Sequence, residues 1–298
     1  MAFMITLARN FTACNAFLGP IFVWHRECFK RFMRFLGIVL FVALASAQTF
    51  PDPVALLKES QANQQKMDEI RENYTFHRTL TENDLDDKGA IVKTTTSERE
   101  VFFVNGRQIG RLVKRDGVEL KGKAEQNEQA RVTKMIEVAM KATVRPRGRG
   151  GISMIGDILP MMTISNPRRV SFHDRSALVY DFTGDPHAKA KDTKEGAAKK
   201  MAGTIWFDEA DRQVARLEVH FYDNFRIGGG LLASVQKGTE MEFERAPIGD
   251  GLWMQTYSRQ RLAARIVVKN FREDTISKNT DFKKFNVEVL QQVTPPGK

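Results

Sequence analysis

Residues 203–221 read GTIWFDEADRQVARLEVHF, and this stretch decides the fold class. In its second half Leu217, Val219 and Phe221 alternate with charged or polar residues, which is the period-two pattern of a strand with a buried and a solvated face. The mostly charged residues 208–212 separate this half from an equally apolar first half. The stretch therefore predicts two antiparallel strands joined by a short turn, with the three alternating apolar residues in the core.

Similar period-two segments extend in both directions, from residue 74 and again from residue 167 almost to the end of the chain. Asn105-Gly106 and Asp116-Gly117 separate some of these segments, and both dipeptides tolerate the positive φ angles of a tight hairpin. Polar turns also separate the later segments. We therefore expect neighbouring strands to be sequential and antiparallel.

Two helical patterns and one short apolar segment interrupt the strands. Residues 52–72 predict one amphipathic helix with Pro53 at an early position, where the missing N–H costs nothing. Residues 124–141 predict a second helix, whose expected apolar face comprises Ala130, Met135, Ile136, Ala139 and Met140. Residues 187–200 are small and charged, which indicates an exposed loop.

An antiparallel sheet of this size must curl, and its apolar face needs helices to cover it. The predicted fold class is therefore α+β, with a curved antiparallel sheet that forms an unclosed half-barrel and helices on its concave side. We find no internal repeat and no linker, so residues 48–298 are interpreted as one domain.

Residues 30–47 have the pattern of an export signal. Basic residues precede an apolar run over residues 35–45, and Ala45, Ser46 and Ala47 form the small-x-small pattern of a signal-peptidase site. The uncharged stretch is too short to span a bilayer as a helix, which needs about 20 residues. We therefore expect residues 1–47 to be a signal peptide cleaved after Ala47, with the true start further in, near Met33, and a periplasmic mature protein.

Both cysteines, Cys14 and Cys28, lie in the expected leader, so neither disulfides nor thiolate metal sites can stabilise the mature chain. The chain from Gln48 has 41 Lys and Arg against 35 Asp and Glu. This moderate excess favours an anionic membrane surface as a partner, although a mixed solvated surface explains it equally well. Export argues against nucleic acid.

The chain resembles the lipoprotein carrier superfamily, the LolA-like and outer-membrane lipoprotein-sorting proteins. The resemblance rests on the leader, the helix before the first strand, the runs GTIWFD at 203–208 and QVARLE at 213–218, and the closing TDFKKFNV at 280–287. It covers most of residues 50–290 with loose patterns rather than an invariant motif. The resemblance implies an unclosed barrel with a helical lid around an apolar cavity for acyl chains, no catalysis, and lipid or lipoprotein acyl chains as partners.

The apolar segment 152–162 is the leading candidate for the binding site, because flexible thioether side chains adapt to acyl chains of varied shape. Core packing explains the same segment about as well. The residues predicted to line the hydrophobic cavity are Ile136, Met140, Met154, Ile155, Ile158, Leu159, Met161 and Met162. The basic loop 145–149 has two readings, a solvated loop and, less favoured, a site for anionic headgroups.

No convincing catalytic, cofactor or metal motif is found. Gly117, Gly122 and Lys123 have the spacing of a phosphate-binding loop, but Ala124 stands where a Ser or Thr must hold Mg²⁺. The segment from Gly151 to Gly156 misses a nucleophile elbow by one residue. The mature histidines lack metal-ligand spacing. The glutamates Glu240, Glu242 and Glu244 share one strand face, which we interpret as solvent-exposed.

Three functions remain open from the sequence. The first is a non-catalytic exported carrier or sensor of acyl chains, without a cofactor or metal. The second is an envelope structural or interaction protein that binds another envelope protein and has no ligand cavity. The third, a secreted hydrolase, would need two titratable groups that meet in a pocket.

Overall fold

The computed structural model describes residues 49–143, 151–267 and 269–284, with the backbone alone at 151–154. The expected signal peptide with its cleavage site, both cysteines, the basic loop 145–149 and the side chain of Met154 lie outside the described residues. Of the closing segment 280–287, residues 280–284 are described and residues 285–287 lie outside.

Thirteen strands form one antiparallel sheet, in the order β4-β3-β2-β1-β13-β12-β11-β8-β7-β6-β5, with β10 paired to β12 and to β9. The strands are β1 Tyr74–Leu85, β2 Ile91–Val104, β3 Arg107–Arg115, β4 Val118–Glu119, β5 Met162–Phe172, β6 Arg175–Gly184, β7 Met201–Asp208, β8 Val214–Phe221, β9 Phe225–Ile227, β10 Ala233–Val235, β11 Glu240–Gly249, β12 Leu252–Ile266 and β13 Lys269–Lys284. Among the described residues no pairing joins the two ends of this order. The sheet is an unclosed half-barrel, as predicted.

Both predicted hairpin turns are confirmed. Asn105 and Gly106 join β2 to β3 with φ angles of 49° and 73°, and Asp116 and Gly117 join β3 to β4 with 50° and 78°. Most neighbours in the sheet are sequential, as expected. The exceptions are the pairs β1–β13, β8–β11 and β10–β12, of which β1–β13 connects the segments farthest apart in the chain.

The pairing register places two apolar clusters on the same face of the sheet. Leu217 lies opposite Phe243 on that face, and Phe76 lies opposite Val101. The first cluster comprises Leu178, Tyr180, Phe182, Ile205, Phe207, Leu217, Val219 and Phe221 with residues of the covering helices. The second comprises Tyr74, Phe76, Val101, Leu252 and Met254. Leu217, Val219 and Phe221 are therefore core residues, as predicted.

The first helical segment is two helices rather than one. Helix α1 is Pro53–Lys66 and α2 is Asp68–Arg71, with a break at Met67. Asp52 caps α1 by accepting hydrogen bonds from Val54 N and Ala55 N, and this cap fixes the start of the helix. The break has a packing reason, because α1 contributes Leu56 and Leu57 to the first cluster, whereas Met67 and Ile70 pack against the second.

Helix α3, Lys123–Lys141, packs on the opposite face of the sheet. Its residues Val132, Ile136 and Ala139 contact Phe102, Val104 and Ile109, and Phe102 is adjacent to Val101, so its side chain points away from the second cluster. The predicted apolar face of this helix was wrong in part, because Ala130, Met135 and Met140 are exposed. Positions 132, 136 and 139 form the narrower stripe that a helix presents to a sheet.

Helix α4, Gly151–Ile158, continues into the 3-10 turn Leu159–Met161 before β5 begins. A further helix, α5, spans Thr193–Ala198, where an exposed loop was predicted. Asp192 accepts from Glu195 N, and the Glu195 carboxylate accepts from Lys191 N. These two hydrogen bonds cap the start of a helix despite its polar composition, and Ala198 is buried against the sheet.

In the ranges that the structure describes, no helix combines the length and apolar character needed to cross a bilayer.

Candidate functional site

The apolar face of the sheet is covered by α1, α4 and the 3-10 turn. Leu56 and Leu57 of α1 and Ile155 and Ile158 of α4 belong to the same buried cluster as the strands β6, β7 and β8. Each of these four side chains is at most 3% exposed. Burying one such side chain contributes about 1.5–3 kcal/mol to stability. The covering segments are therefore part of the hydrophobic core of the protein.

The structure brings together some of the predicted cavity residues and separates others. Ile155, Ile158, Leu159 and Met162 lie in this cluster, and Met161 lies at its edge with 37% of its surface exposed. Ile136 and Met140 belong to α3 on the opposite face, where Ile136 is half-buried and Met140 is 69% exposed. The eight residues thus do not line one surface. A role of any of them in acyl binding stays a prediction.

A small cavity of about 120 Å³ opens at the edge of the first cluster, between the end of the 3-10 turn and α5. It is lined by Met161, Met162, Gly184, Asp185, Ala188, Lys189, Ala190, Lys191, Glu195, Ala198 and Lys199. This volume lies well below the roughly 300–1,000 Å³ of typical ligand pockets, so the cavity is too small for a long acyl chain. An acyl chain would therefore need the segments above the cluster to move.

Gly184 shapes this cavity. A Cβ atom at position 184 would lie 2.0 Å from the carbonyl oxygen of Ala198. Because the obstacle is backbone, any other residue would push α5 away from β6. The absence of a side chain thus lets α5 close one wall of the cavity.

Helix α1 is fixed to the sheet by buried polar contacts. Ser60 Oγ accepts from Val214 N at 3.0 Å and donates to Gln213 Oε1 at 3.3 Å. Arg245 donates to Gln213 Oε1 at 3.3 Å, to the carbonyl oxygen of Trp253 at 2.8 Å and to Gln64 of α1. These bonds connect α1 to the start of β8 and to β11, and Arg245 connects β11 in turn to β12.

Arg245 is buried among neutral acceptors. Burial, together with the nearby charge of Arg71, lowers the pKa of its guanidinium to about 10, so the group stays charged at neutral pH. A buried charge must keep its hydrogen-bond partners, because an unpaired one costs several kcal/mol, roughly 3–5. Displacing α1 would remove Gln64 from Arg245, which favours α1 as the fixed part of the cover.

Helix α4 has a different kind of contact with its surroundings. Its described polar contact with another element is the ion pair of Asp157 with Lys194 of α5, at 3.2 Å and with both side chains more than half exposed. Such surface pairs contribute about 0–1 kcal/mol. Apolar burial of Ile155 and Ile158, and of Leu159 in the following 3-10 turn, therefore dominates the attachment of this segment.

A larger concavity, of about 810 Å³, lies along the outer surface of α3. The described residues that line it all belong to this one helix, and they are mostly polar: Glu125, Gln126, Gln129, Ala130, Thr133, Lys134 and Glu137. A stripe on a single helix is a surface rather than an enclosed site. The small cavity beside α4 is therefore the better candidate despite its size.

The remaining polar clusters show structural pairing. Arg216 contacts Glu218, Glu242 and Glu244 on the sheet face opposite the apolar clusters, so two of the three glutamates that were interpreted as solvated share a cation. Burial alone would lower the pKa of the Arg216 guanidinium. The hydrogen bond with Glu218 and the negative charges of the three carboxylates outweigh burial, so the pKa is raised above its ordinary value. Within the described ranges no group of His, Cys, Asp and Glu has the arrangement of a metal site.

Comparison with solved structures gives distant similarities. A domain described as an outer membrane lipoprotein-sorting protein domain from Vibrio parahaemolyticus has a TM-score of 0.31 and 10% identity, and the match covers 80% of this chain and 95% of that one. A DUF1329 family protein from Desulfovibrio piger has a TM-score of 0.25 and 9% identity, with 76% and 92% covered. MucB in complex with MucA(peri) has a TM-score of 0.19 and 9% identity, with 78% and 100% covered.

The first of these structures is described as a lipoprotein-sorting domain, the same class of protein that the sequence resembles. No family model and no curated protein matches the sequence. At such low identities and TM-scores, the similarities do not assign a function to this chain.

Proposed function

We propose that this protein is an exported, non-catalytic carrier or sensor that binds the acyl chains of lipids or lipoproteins against the apolar face of its half-barrel. The observation that carries the proposal is the cover of this face. Helix α4 and the 3-10 turn place Ile155, Ile158 and Leu159 over the cluster, and apolar burial dominates their attachment. In the bound form this segment moves aside, and the acyl chain takes the place of its side chains beside Met162.

The acyl chain must recover the free energy that uncovering the segment costs. Uncovering the three buried side chains of the segment costs about 4.5–9 kcal/mol, and burying a chain of about 14–16 carbons contributes roughly 11–13 kcal/mol at about 0.8 kcal/mol per methylene. A chain of about eight carbons contributes only some 6 kcal/mol. The proposal therefore requires a steep dependence of affinity on chain length.

The first experiment tests for a ligand. The chain from Gln48 is purified without detergent and studied by native mass spectrometry, and then titrated with fluorescent fatty acids of increasing length. We expect copurified acyl species or binding that becomes detectable only for long chains. If no acyl species copurifies and no long-chain probe binds, the carrier proposal is wrong.

The second experiment locks the cover. Gly156 of α4 faces Gln61 of α1, because a Cβ atom at 156 would lie 1.9 Å from Gln61 Nε2. The double variant Gln61→Cys and Gly156→Cys, crosslinked with a short bifunctional thiol-alkylating reagent, should lose long-chain binding. The same variant with both thiols capped separately is the matched control and should retain it. Binding that survives the lock would contradict movement of α4.

A third variant fills the mouth of the small cavity. Ala188→Trp places a large side chain in its lining and should weaken long-chain binding, whereas Ala124→Trp on the exposed surface of α3 should not. Equal binding by both variants would place the ligand elsewhere.

The described interior also favours a second candidate, an envelope structural or interaction protein, because the core beneath α4 is filled by side chains. In that case the locked and capped forms should behave alike, and crosslinking in cells should capture the same envelope protein with both. Loss of that partner only in the locked form would support the carrier instead.

A further inference from the structure

Four aliphatic side chains protrude together from one end of the sheet. Leu231, Leu232, Ile266 and Val267 are 81%, 61%, 53% and 60% exposed. Val267 N donates to the carbonyl oxygen of Leu232 at 2.9 Å, and Ala233 pairs with Ile266. The two turns that carry these residues are thus neighbours, and we call their four side chains the aliphatic tip. Folding alone gains nothing from exposing them.

The backbone of the two turns that carry the aliphatic tip has several residues with positive φ. Gly228, Gly229 and Gly230 all have positive φ and form a 3-10 turn before Leu231. Val267 has a φ of 54°, a region that β-branched residues rarely adopt and that Gly or Asn would occupy at lower cost. A residue chosen for the turn alone would therefore not be valine.

Positive charges accompany the aliphatic tip. Residues 225–236 and 263–271 contain Arg226, Arg265 and Lys269 and no acidic residue. All three basic residues are exposed. Arg265 donates to the carbonyl oxygen of Gly230 at 3.2 Å, so its charge lies next to the leucines. Aliphatic side chains flanked by positive charges match the surface of an anionic bilayer, where negatively charged phosphates lie above apolar chains.

We propose that the aliphatic tip docks onto a lipid bilayer that contains anionic lipid. Leu231, Leu232, Ile266 and Val267 enter the boundary between headgroups and acyl chains, and Arg226, Arg265 and Lys269 face the phosphates. This surface lies on the β9–β10 and β12–β13 turns, apart from the cavity beside α4. It therefore does not rest on acyl binding, and either proposal can fail without the other.

The test uses sedimentation of the chain from Gln48 with vesicles of phosphatidylcholine alone or with phosphatidylglycerol added. The double variant Leu231→Ser and Leu232→Ser should bind the mixed vesicles at least about tenfold more weakly, because two leucine side chains no longer leave water. The matched control is Val138→Ser and Met140→Ser on α3, where the replaced side chains are 56% and 69% exposed. This control should bind like the unmodified protein.

A second variant tests the charges without touching the leucines. Arg226→Gln with Lys269→Gln should weaken binding to the mixed vesicles about tenfold or more, at roughly 1 kcal/mol per charge, and should leave binding to phosphatidylcholine vesicles unchanged. Failure of the unmodified protein to bind the mixed vesicles would overturn the proposal. So would equal loss in the α3 control.

Light scattering separates the bilayer from a second copy of the chain as the occupant. If the leucine variant changes the oligomeric state but binds vesicles normally, the aliphatic tip is a self-association surface and the bilayer proposal is wrong. If the oligomeric state is unchanged and vesicle binding falls, the bilayer proposal stands.

Discussion

The hydroxyl oxygen of Ser60 accepts a hydrogen bond from the backbone N–H of Val214 at 3.0 Å, across 154 positions of the chain. Ser60 lies in α1 and is fully buried, and Val214 is the first residue of β8. The bond satisfies an N–H at the end of a strand and fixes the position of the helix on the sheet. It therefore joins the cover of the apolar face to the half-barrel.

Ser60→Ala should lower the free energy of unfolding by about 1–3 kcal/mol, because the buried N–H of Val214 loses its partner and Gln213 Oε1 keeps only its bond from Arg245. Urea denaturation measures the change. Ser171→Ala, at an exposed strand position, is the control and should change stability by less than about 0.5 kcal/mol. Equal effects of the two substitutions would contradict a structural role for the Ser60 bond.

Asn105 combines two roles at the β2–β3 turn. It has a positive φ, and its side-chain amide donates to the carbonyl oxygens of Ala139 and Ala142 at 3.1 and 2.9 Å, at the C-terminal end of α3. Asn105→Ala should destabilise the protein by about 2–3 kcal/mol, since both the turn conformation and the hydrogen bonds are lost. Asn105→Gly keeps the turn and should cost about half as much. If thermal denaturation shows Asn105→Gly to be less stable than Asn105→Ala, the positive φ of the turn does not contribute as described.

Glu209 provides a prediction about pH. Hydrogen bonds from Arg169, at 2.6 and 2.7 Å, and from Ser176, at 2.7 Å, lower the pKa of its carboxyl from 4.5 to about 2. The folded-state pKa lies below the ordinary value, so the stabilisation is complete above about pH 4.5 and is lost as the pH falls towards 2. About one third of each side chain of the pair is exposed, so the contribution at neutral pH is at most about 1 kcal/mol.

Glu209→Gln should therefore lower stability at pH 7 and converge with the unmodified protein near pH 2. Denaturation curves over this pH range measure the difference. Glu137→Gln, at an exposed position of α3, is the control. A difference that stays constant from pH 7 to pH 2 would show that the carboxylate charge is not the cause.

The expected leader is testable by the mass of the mature protein. When the whole chain is produced with an export machinery, the mature form should begin at Gln48 and be recovered from the periplasm. Ala45→Tyr and Ala47→Tyr should each block cleavage, because both positions require small residues. Ser46→Tyr, between them, should be cleaved normally. A mature form that begins elsewhere would contradict the proposed site.

Much of the candidate site depended on contacts that the sequence does not display. The apolar character of residues 152–162 indicated a covering segment, and Ile155 and Leu159 are buried as part of it. Ile136 and Met140 have the same character but lie on the other sheet face, because the strand β2 has apolar residues on both faces. Which of the two faces α3 covers follows only from the pairing of β2 with its neighbouring strands.

The buried polar contacts were equally hidden. Ser60 and Arg245 are unremarkable in sequence, and nothing in their local pattern links α1 to β11. The aliphatic tip could have been noticed from the neighbouring leucines and from Ile266-Val267, yet such residues usually pack in the core. Their exposure became visible only when the turns were seen side by side.

The sequence by itself determined the antiparallel strands, their hairpin turns, the class of the fold and the position of the apolar covering segment. These features follow from period-two patterning and from the few residues that tolerate positive φ, both of which are local properties of the chain. Only the tertiary structure decided that β1 pairs with β13, which face α3 covers, and how Ser60 and Arg245 hold α1. These contacts join residues far apart in sequence, and local patterns do not specify which distant partner supplies the burial or the hydrogen bond.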